Sequence, residues 1–200
     1  MSLYSLVKIN HSAPNFSLLG ITLEKTENKL AIKNQTPNST PNSSEVLTEN
    51  QIEIQKQEIT PKSQILQYNL ADFGGKWLVL YFYSGDFAGT SAQNLREFEK
   101  IWSELEKNNI QLLGISVDSP SSHLAFAKEL SLSFPLLSDT GDHQTCKDYN
   151  IYCEKSGNNW QATFVINPVG ILEFYQVMSP QIDTNPSTIL EIIKKLQSIF

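Results

Sequence analysis

A chain of 200 residues, 40% of them hydrophobic, is long enough to close one sizeable core without disulfide or metal staples. A formal net charge of −6 argues against a nucleic-acid surface, and a single arginine, Arg96, nearly excludes forked guanidinium recognition of phosphate or carboxylate. No basic start followed by a secretory-length apolar stretch opens the chain, and its longest apolar run is far below the ~20 residues that span a bilayer, so a cytoplasmic protein without membrane insertion is expected.

Taken in chain order, the first change of character falls near Lys33, where KNQTPNSTPNSSEVLTENQ is rich in Asn, Ser, Thr, Gln and Pro. Such a segment has little to bury against its ordering entropy, and compact domains seldom contain long structureless loops. Residues 24–63 are therefore read as a flexible, low-complexity insertion into one domain spanning 1–200, with QIEIQKQEI at 51–59 as an extra strand or as part of that loop.

The apolar run WLVLYFY at 77–83 predicts a buried strand, with Trp77, Tyr81, Phe82 and Tyr83 as core. A helix is predicted over 91–108, with Leu95, Phe98, Trp102 and Leu105 on one face. A second buried strand follows at 110–117, and then Asp118 or Ser119 caps a helix with Pro120 at its first position. FPLLSD reads as a short strand and GDHQTCKDYNI as a short helix with its exit. ATFVIN and ILEFYQV form a hairpin about Asn167-Pro168-Val169-Gly170, and Pro186 opens a last helix. Strands alternating with helices and ending in a hairpin predict an α/β fold with a mixed central sheet and helices on both faces.

Between the first strand and its helix lies SGDFAGTS, a loop of small residues in which Ser91 is the one plausible nucleophile, with no His or Cys close in sequence. GTSAQ is not the G-x-S-x-G elbow of a hydrolase, so the plain expectation is that Ser91 or a neighbour caps the helix. The two cysteines, Cys146 and Cys153, are read as ordinary thiols or as a redox pair, with His143 placed to lower the thiol pKa of Cys146. His143, Cys146 and Cys153 lack the fourth ligand and the spacing of a zinc site, and no cofactor or metal is expected.

With these pieces in place the chain resembles a peroxiredoxin of the alkyl hydroperoxide reductase/thiol-specific antioxidant (AhpC/TSA) family, nearest the bacterioferritin-comigratory (Q-type) branch. APNFSLLG, NLADFGGKWLVLYFY, LLGISVDSPSSHLAFAKELSLSFPLLSD and ATFVINPVGIL carry the likeness, in family order. The resemblance implies a thioredoxin-like fold and a P-x-x-x-T-x-x-C motif. In that motif the cysteine thiolate, stabilised by a helix N-terminus and an arginine, attacks peroxide. Laid on the motif without gaps, Ser84 stands at the proline, Ala88 at the threonine and Ser91 at the peroxidatic cysteine. Gln161 stands at the arginine, and Arg96 at a resolving-cysteine position of Q-type members. The implied catalytic positions are thus all changed.

Three readings follow. The first is a catalytically inactive peroxiredoxin-like protein that binds a protein partner, as a monomer or dimer. The second is a divergent thiol-dependent peroxidase using Cys146, with Cys153. The third is a binder of a neutral small molecule in the emptied space among Ser84, Ala88, Ser91 and Gln161.

Overall fold

A computed structural model describes residues 7–24, 62–177 and 186–199. The strands are β1 (Ser17–Leu23), β2 (Ser63–Asn69), β3 (Trp77–Phe82), β4 (Ile110–Ser116), β5 (Leu136–Ser138), β6 (Tyr152–Cys153), β7 (Asn158–Asn159), β8 (Ala162–Ile166) and β9 (Leu172–Val177). The centre is a seven-stranded mixed sheet in the order β2-β1-β5-β4-β3-β8-β9, and a two-stranded ribbon of β6 and β7 stands apart.

The middle of the sheet follows from composition. Every residue of β3 is buried, as a strand covered on both faces requires, and it pairs in parallel with β4 from Trp77 opposite Ile110 to Phe82 opposite Ile115. Between β3 and β4 runs α1 (Gly89–Lys107), and between β4 and β5 runs α2 (Pro120–Leu130). Two further helices are α3 (Gln144–Asp148) and α4 (Pro186–Gln197). Alternation along β3 then sorts the core. Val79, Tyr81 and Tyr83 meet Leu95, Phe98, Trp102 and Leu105 of α1, Phe126 of α2, and Ile189 and Ile193 of α4. Leu78, Leu80 and Phe82 face Phe16, Phe73, Tyr149 and Ile151 on the other side. Both faces carry helices, as expected, but unequally. The three long helices share one face, while the other holds α3, the 3-10 helix Leu70–Phe73 and the N-terminal segment.

Two boundaries have readable causes. Ser119 caps α2, its Oγ accepting from the Ser122 N–H at 3.3 Å, and Pro120 fills the first helical position. The β8–β9 turn closes because Asn167 Oδ1 accepts from the N–H groups of Val169 and Ile171, both at 3.0 Å, while Gly170 takes φ +85°.

The β1–β2 hairpin is not announced by the residues alone. It pairs seven positions, Ser17 opposite Asn69 to Leu23 opposite Ser63, and the Glu24 N–H donates to the Lys62 carbonyl at 2.8 Å. The expected insertion thus leaves and rejoins the sheet at adjacent positions, and its residues 25–61, including the weakly alternating 51–59, lie outside the described residues. Among the described residues no helix is long and apolar enough to cross a membrane.

Candidate functional site

The carboxyl ends of β3 and β4 lie side by side, and each feeds a loop that starts a helix. In α/β sheets this is where ligands and chemistry gather. The four residues singled out in sequence meet there. Ala88 is the N-cap of α1, with extended backbone, its carbonyl accepting from the Ala92 N–H at 2.9 Å. Ser91 is the third helical residue and wholly buried, and its Oγ lies 3.3 Å from Ser84 Oγ. Gln161, half-buried at the entry to β8, donates through Nε2 to Thr90 Oγ1 at 3.3 Å.

The capping expectation is corrected here. The helix begins two residues earlier than predicted, at Gly89, and its N-cap is an alanine that offers no side-chain oxygen. Ser91 is turned inward toward Ser84 instead. Arg96 sits on the exposed face of α1.

A second group of side chains, missed in the sequence, holds the same loop. Tyr83 O–H donates to Asp86 Oδ1 at 2.9 Å, and His123 Nδ1 lies 2.9 Å from Asp86 Oδ2. His123 Nε2 lies 3.0 Å from the Leu137 carbonyl. Both ring nitrogens therefore face hydrogen-bond acceptors. The Asp86 N–H donates to Asp118 Oδ2 at 2.8 Å, and Ser116 Oγ donates to the same oxygen at 2.7 Å. Gly85 lets the loop approach, since a Cβ there would stand 3.3 Å from Asp118 Oδ2. Burial, and then the Asp86 carboxylate, push the Tyr83 phenol well above its ordinary pKa, so it serves as a neutral donor.

The loop also carries strain. Phe87 has φ +59°, a left-handed conformation costing a non-glycine residue roughly 1–2 kcal/mol, and its half-exposed ring rests on Phe126 with centroids 4.9 Å apart.

One signal for His123 did exist. It stands with Phe126, Ala127 and Leu130 at spacings of three, four and seven on the buried face of α2. A polar ring in that stripe must find partners, and β3's loop supplies one of them. His123 was absent from the expected neighbourhood of Ser91 because Asp86, its partner, is 37 residues away in sequence.

Chemically the group is a scaffold, not a triad. A general base needs a free ring nitrogen, and neither of His123's is free. The hydrogen-bonding contact of Ser91 Oγ is another hydroxyl.

The two cysteines are free thiols lying elsewhere. Cys146, in α3, is fully buried, and its N–H donates to Asp139 Oδ2 at 2.7 Å. Burial first and the Asp139 carboxylate second push its thiol pKa strongly upward. The expected help from His143 is therefore corrected. His143 is the N-cap of α3, with φ +56°; its Nδ1 is 2.6 Å from the Asp139 carbonyl, and its ring stacks on Tyr152. Cys153, on β6, is partly exposed, and hydrogen bonds from Ser156 lower its pKa. Among the described residues no cluster of three His, Cys, Asp or Glu side chains is placed to hold a metal ion.

The fold is thioredoxin-like, as in the peroxiredoxins. The chain belongs to the AhpC/TSA family, whose model matches residues 50–175. A peroxiredoxin of Thermoplasma volcanium is 28% identical over 134 residues, covering 64% of this chain and 66% of that protein, so the match spans about two thirds of the relative's length. The AhpC structure of Enterococcus faecalis superposes with a TM-score of 0.71 at 18% identity, covering 96% of this chain and 93% of that one. The bacterioferritin comigratory protein of Xanthomonas campestris, at 28% identity and TM-score 0.59, covers 64% of this chain and 85% of its own, in support of the Q-type branch.

Proposed function

We propose that this chain keeps the peroxiredoxin frame without peroxide chemistry and works as a binding or interaction protein on a protein partner in the cytoplasm. One observation carries the reading. Where the resemblance places the peroxidatic sulfur there is the buried hydroxyl of Ser91, 3.3 Å from a second hydroxyl and with no base in contact. An alcohol has no sulfenic acid stage, and in a serine protease loss of the nucleophile lowers turnover on the order of a million-fold. Changes at Ser84, Ala88 and Gln161 accompany it and remove the helpers as well. The chain is read as one domain, with 24–63 an excursion out of the β1–β2 hairpin.

The test is consumption of hydrogen peroxide by the purified chain with dithiothreitol as reductant, together with dimedone trapping. The expected result is no turnover above the reductant's own and no sulfenic acid at either cysteine. Robust turnover that survives blocking of both thiols would overturn the reading.

A second reading, a divergent thiol-dependent peroxidase, is favoured by the accessible Cys153 thiol with its lowered pKa rather than by Cys146. Peroxide turnover abolished by Cys153→Ser would establish it.

A further inference from the structure

At the far end of β3 from Ser91, a cleft of about 330 Å³ opens between the 3-10 helix and the β8–β9 turn. This is within the range of ligand pockets, about 300–1,000 Å³. Its floor is apolar, with Leu70, Phe73 and Leu78 on one side and Ile166 and Val169 on the other. The walls are tied together before any ligand arrives. The Gly75 N–H donates to the Pro168 carbonyl at 2.9 Å, and the Lys76 N–H donates to the Phe73 carbonyl at 3.0 Å. Val169, in the β8–β9 turn, stands at the mouth and is 79% exposed.

The charge at this cleft is one-sided. Lys76 lines it and is exposed, and it joins no ion pair among the described residues. Lys76 is the one charged residue among those lining the cleft, and Asp72 and Glu173, which keep their charge, lie outside that lining. Asp72 accepts from the Asn69 backbone at 2.8 Å, and Glu173 accepts from Asn167 Nδ2 at 2.5 Å. An apolar floor beside one ammonium complements an apolar tail ending in an anion.

We infer that this cleft is a binding site for a small monocarboxylate with an aliphatic tail, the tail on the Phe73–Leu78–Ile166 floor and the carboxylate at Lys76. The assignment is independent of the chemistry at Ser91, so the peroxide assay leaves it untouched. The experiment is calorimetric titration of the full chain with sodium octanoate, and with 1-octanol as the neutral control. Saturable octanoate binding is expected, weaker by about 3- to 5-fold in Lys76→Gln, the effect of one exposed ion pair. Ala71→Trp places an indole over the opening from an exposed position and should abolish binding while leaving the far-UV spectrum unchanged. No saturable binding up to the solubility limit would overturn the site. Binding unchanged in Ala71→Trp would place the ligand elsewhere, and octanol binding as tightly as octanoate would overturn the carboxylate.

Discussion

His123 Nδ1 and Asp86 Oδ2 lie 2.9 Å apart where neither side chain reaches solvent, at 0% and 1% exposure. A buried hydrogen-bonded pair of this kind contributes little net stability, because folding exchanges hydrogen bonds to water for those within the protein. Its sensitivity lies in losing one partner. Asp86→Leu leaves the ring and the Tyr83 hydroxyl without their common acceptor, and His123→Leu leaves the carboxylate with the phenol alone. Each single change leaves a buried polar group unpaired and should destabilise by about 1–3 kcal/mol in urea unfolding. The double change should cost clearly less than the sum of the two. Additive losses would show that the pair does not couple.

The two thiols should differ sharply in reactivity. Iodoacetamide should modify the folded chain at Cys153 alone, with Cys146 reached only on unfolding, because Cys146 is sealed and its pKa is pushed up by burial. Ser156 lowers the Cys153 pKa by hydrogen bonding, its side chain first. Ser156→Ala should therefore shift the alkylation profile of Cys153 to higher pH with no change at Cys146. Mass spectrometry of peptides from a pH series checks both. Equal labelling of the two cysteines in the folded protein would contradict this burial pattern.

Legibility in the sequence followed how locally each feature is specified. Unbroken apolar runs such as WLVLYF and LLGIS could only be strands covered on both faces, and both proved so. The β1–β2 hairpin was opaque from the residues for the opposite reason. β1 is interrupted at Gly20, β2 leaves Ile65 at 61% exposure and Leu66 at 44%, and its partner lies beyond 25–61. Ser84, Ala88, Ser91 and Gln161 could be listed because register along a motif is a one-dimensional property. The Tyr83–Asp86–His123 group could not, since it is made where the loop after β3 meets the buried face of α2 in space. The helix start went wrong through propensity. Serine favours N-caps, but here tertiary burial took Ser91 and left Ala88 at the cap.

Alkaline stability follows from three buried acids. The thiol of Cys146 and the phenols of Tyr83 and Tyr149 all have pKa values raised in the fold, burial being the largest cause in each case. A raised folded value means that the unfolded chain loses its proton first. The contribution of each group is therefore whole below its ordinary value, 9.0 for the thiol and 10.0 for the phenols, and falls as pH climbs from there toward the folded value. In that window each group contributes a slope of about 1.4 kcal/mol per pH unit. Urea midpoints should hold between pH 7 and the thiol range and then drop. Cys146→Ala, although less stable at neutral pH, should show a shallower decline just above that range. A parallel decline in the variant would remove Cys146 from the account.

The final prediction concerns what Ser91 replaces. Position 91 lies in the first turn of a 19-residue helix, where the unpaired N–H groups and the helix dipole favour an anion. A thiol there should ionise more readily than an ordinary one, so Ser91→Cys should react with iodoacetamide faster per accessible thiol than Cys153 does. Because position 91 is wholly buried against Ser84, that reaction should be limited by opening of the loop before α1. Adding Ala88→Thr and Gln161→Arg supplies a hydroxyl at the N-cap and a cation beside Thr90, where Gln161 now donates. The triple variant should consume hydrogen peroxide with dithiothreitol at a rate at least 10-fold above Ser91→Cys alone, in keeping with the ~10²–10³-fold effect of a single preorganised donor elsewhere. Stopped-flow oxidation of the thiol introduced at position 91, with sulfenic acid trapped by dimedone, measures it. Equal and negligible rates in the single and triple variants would mean that the backbone, and not only the side chains, has moved away from peroxide geometry.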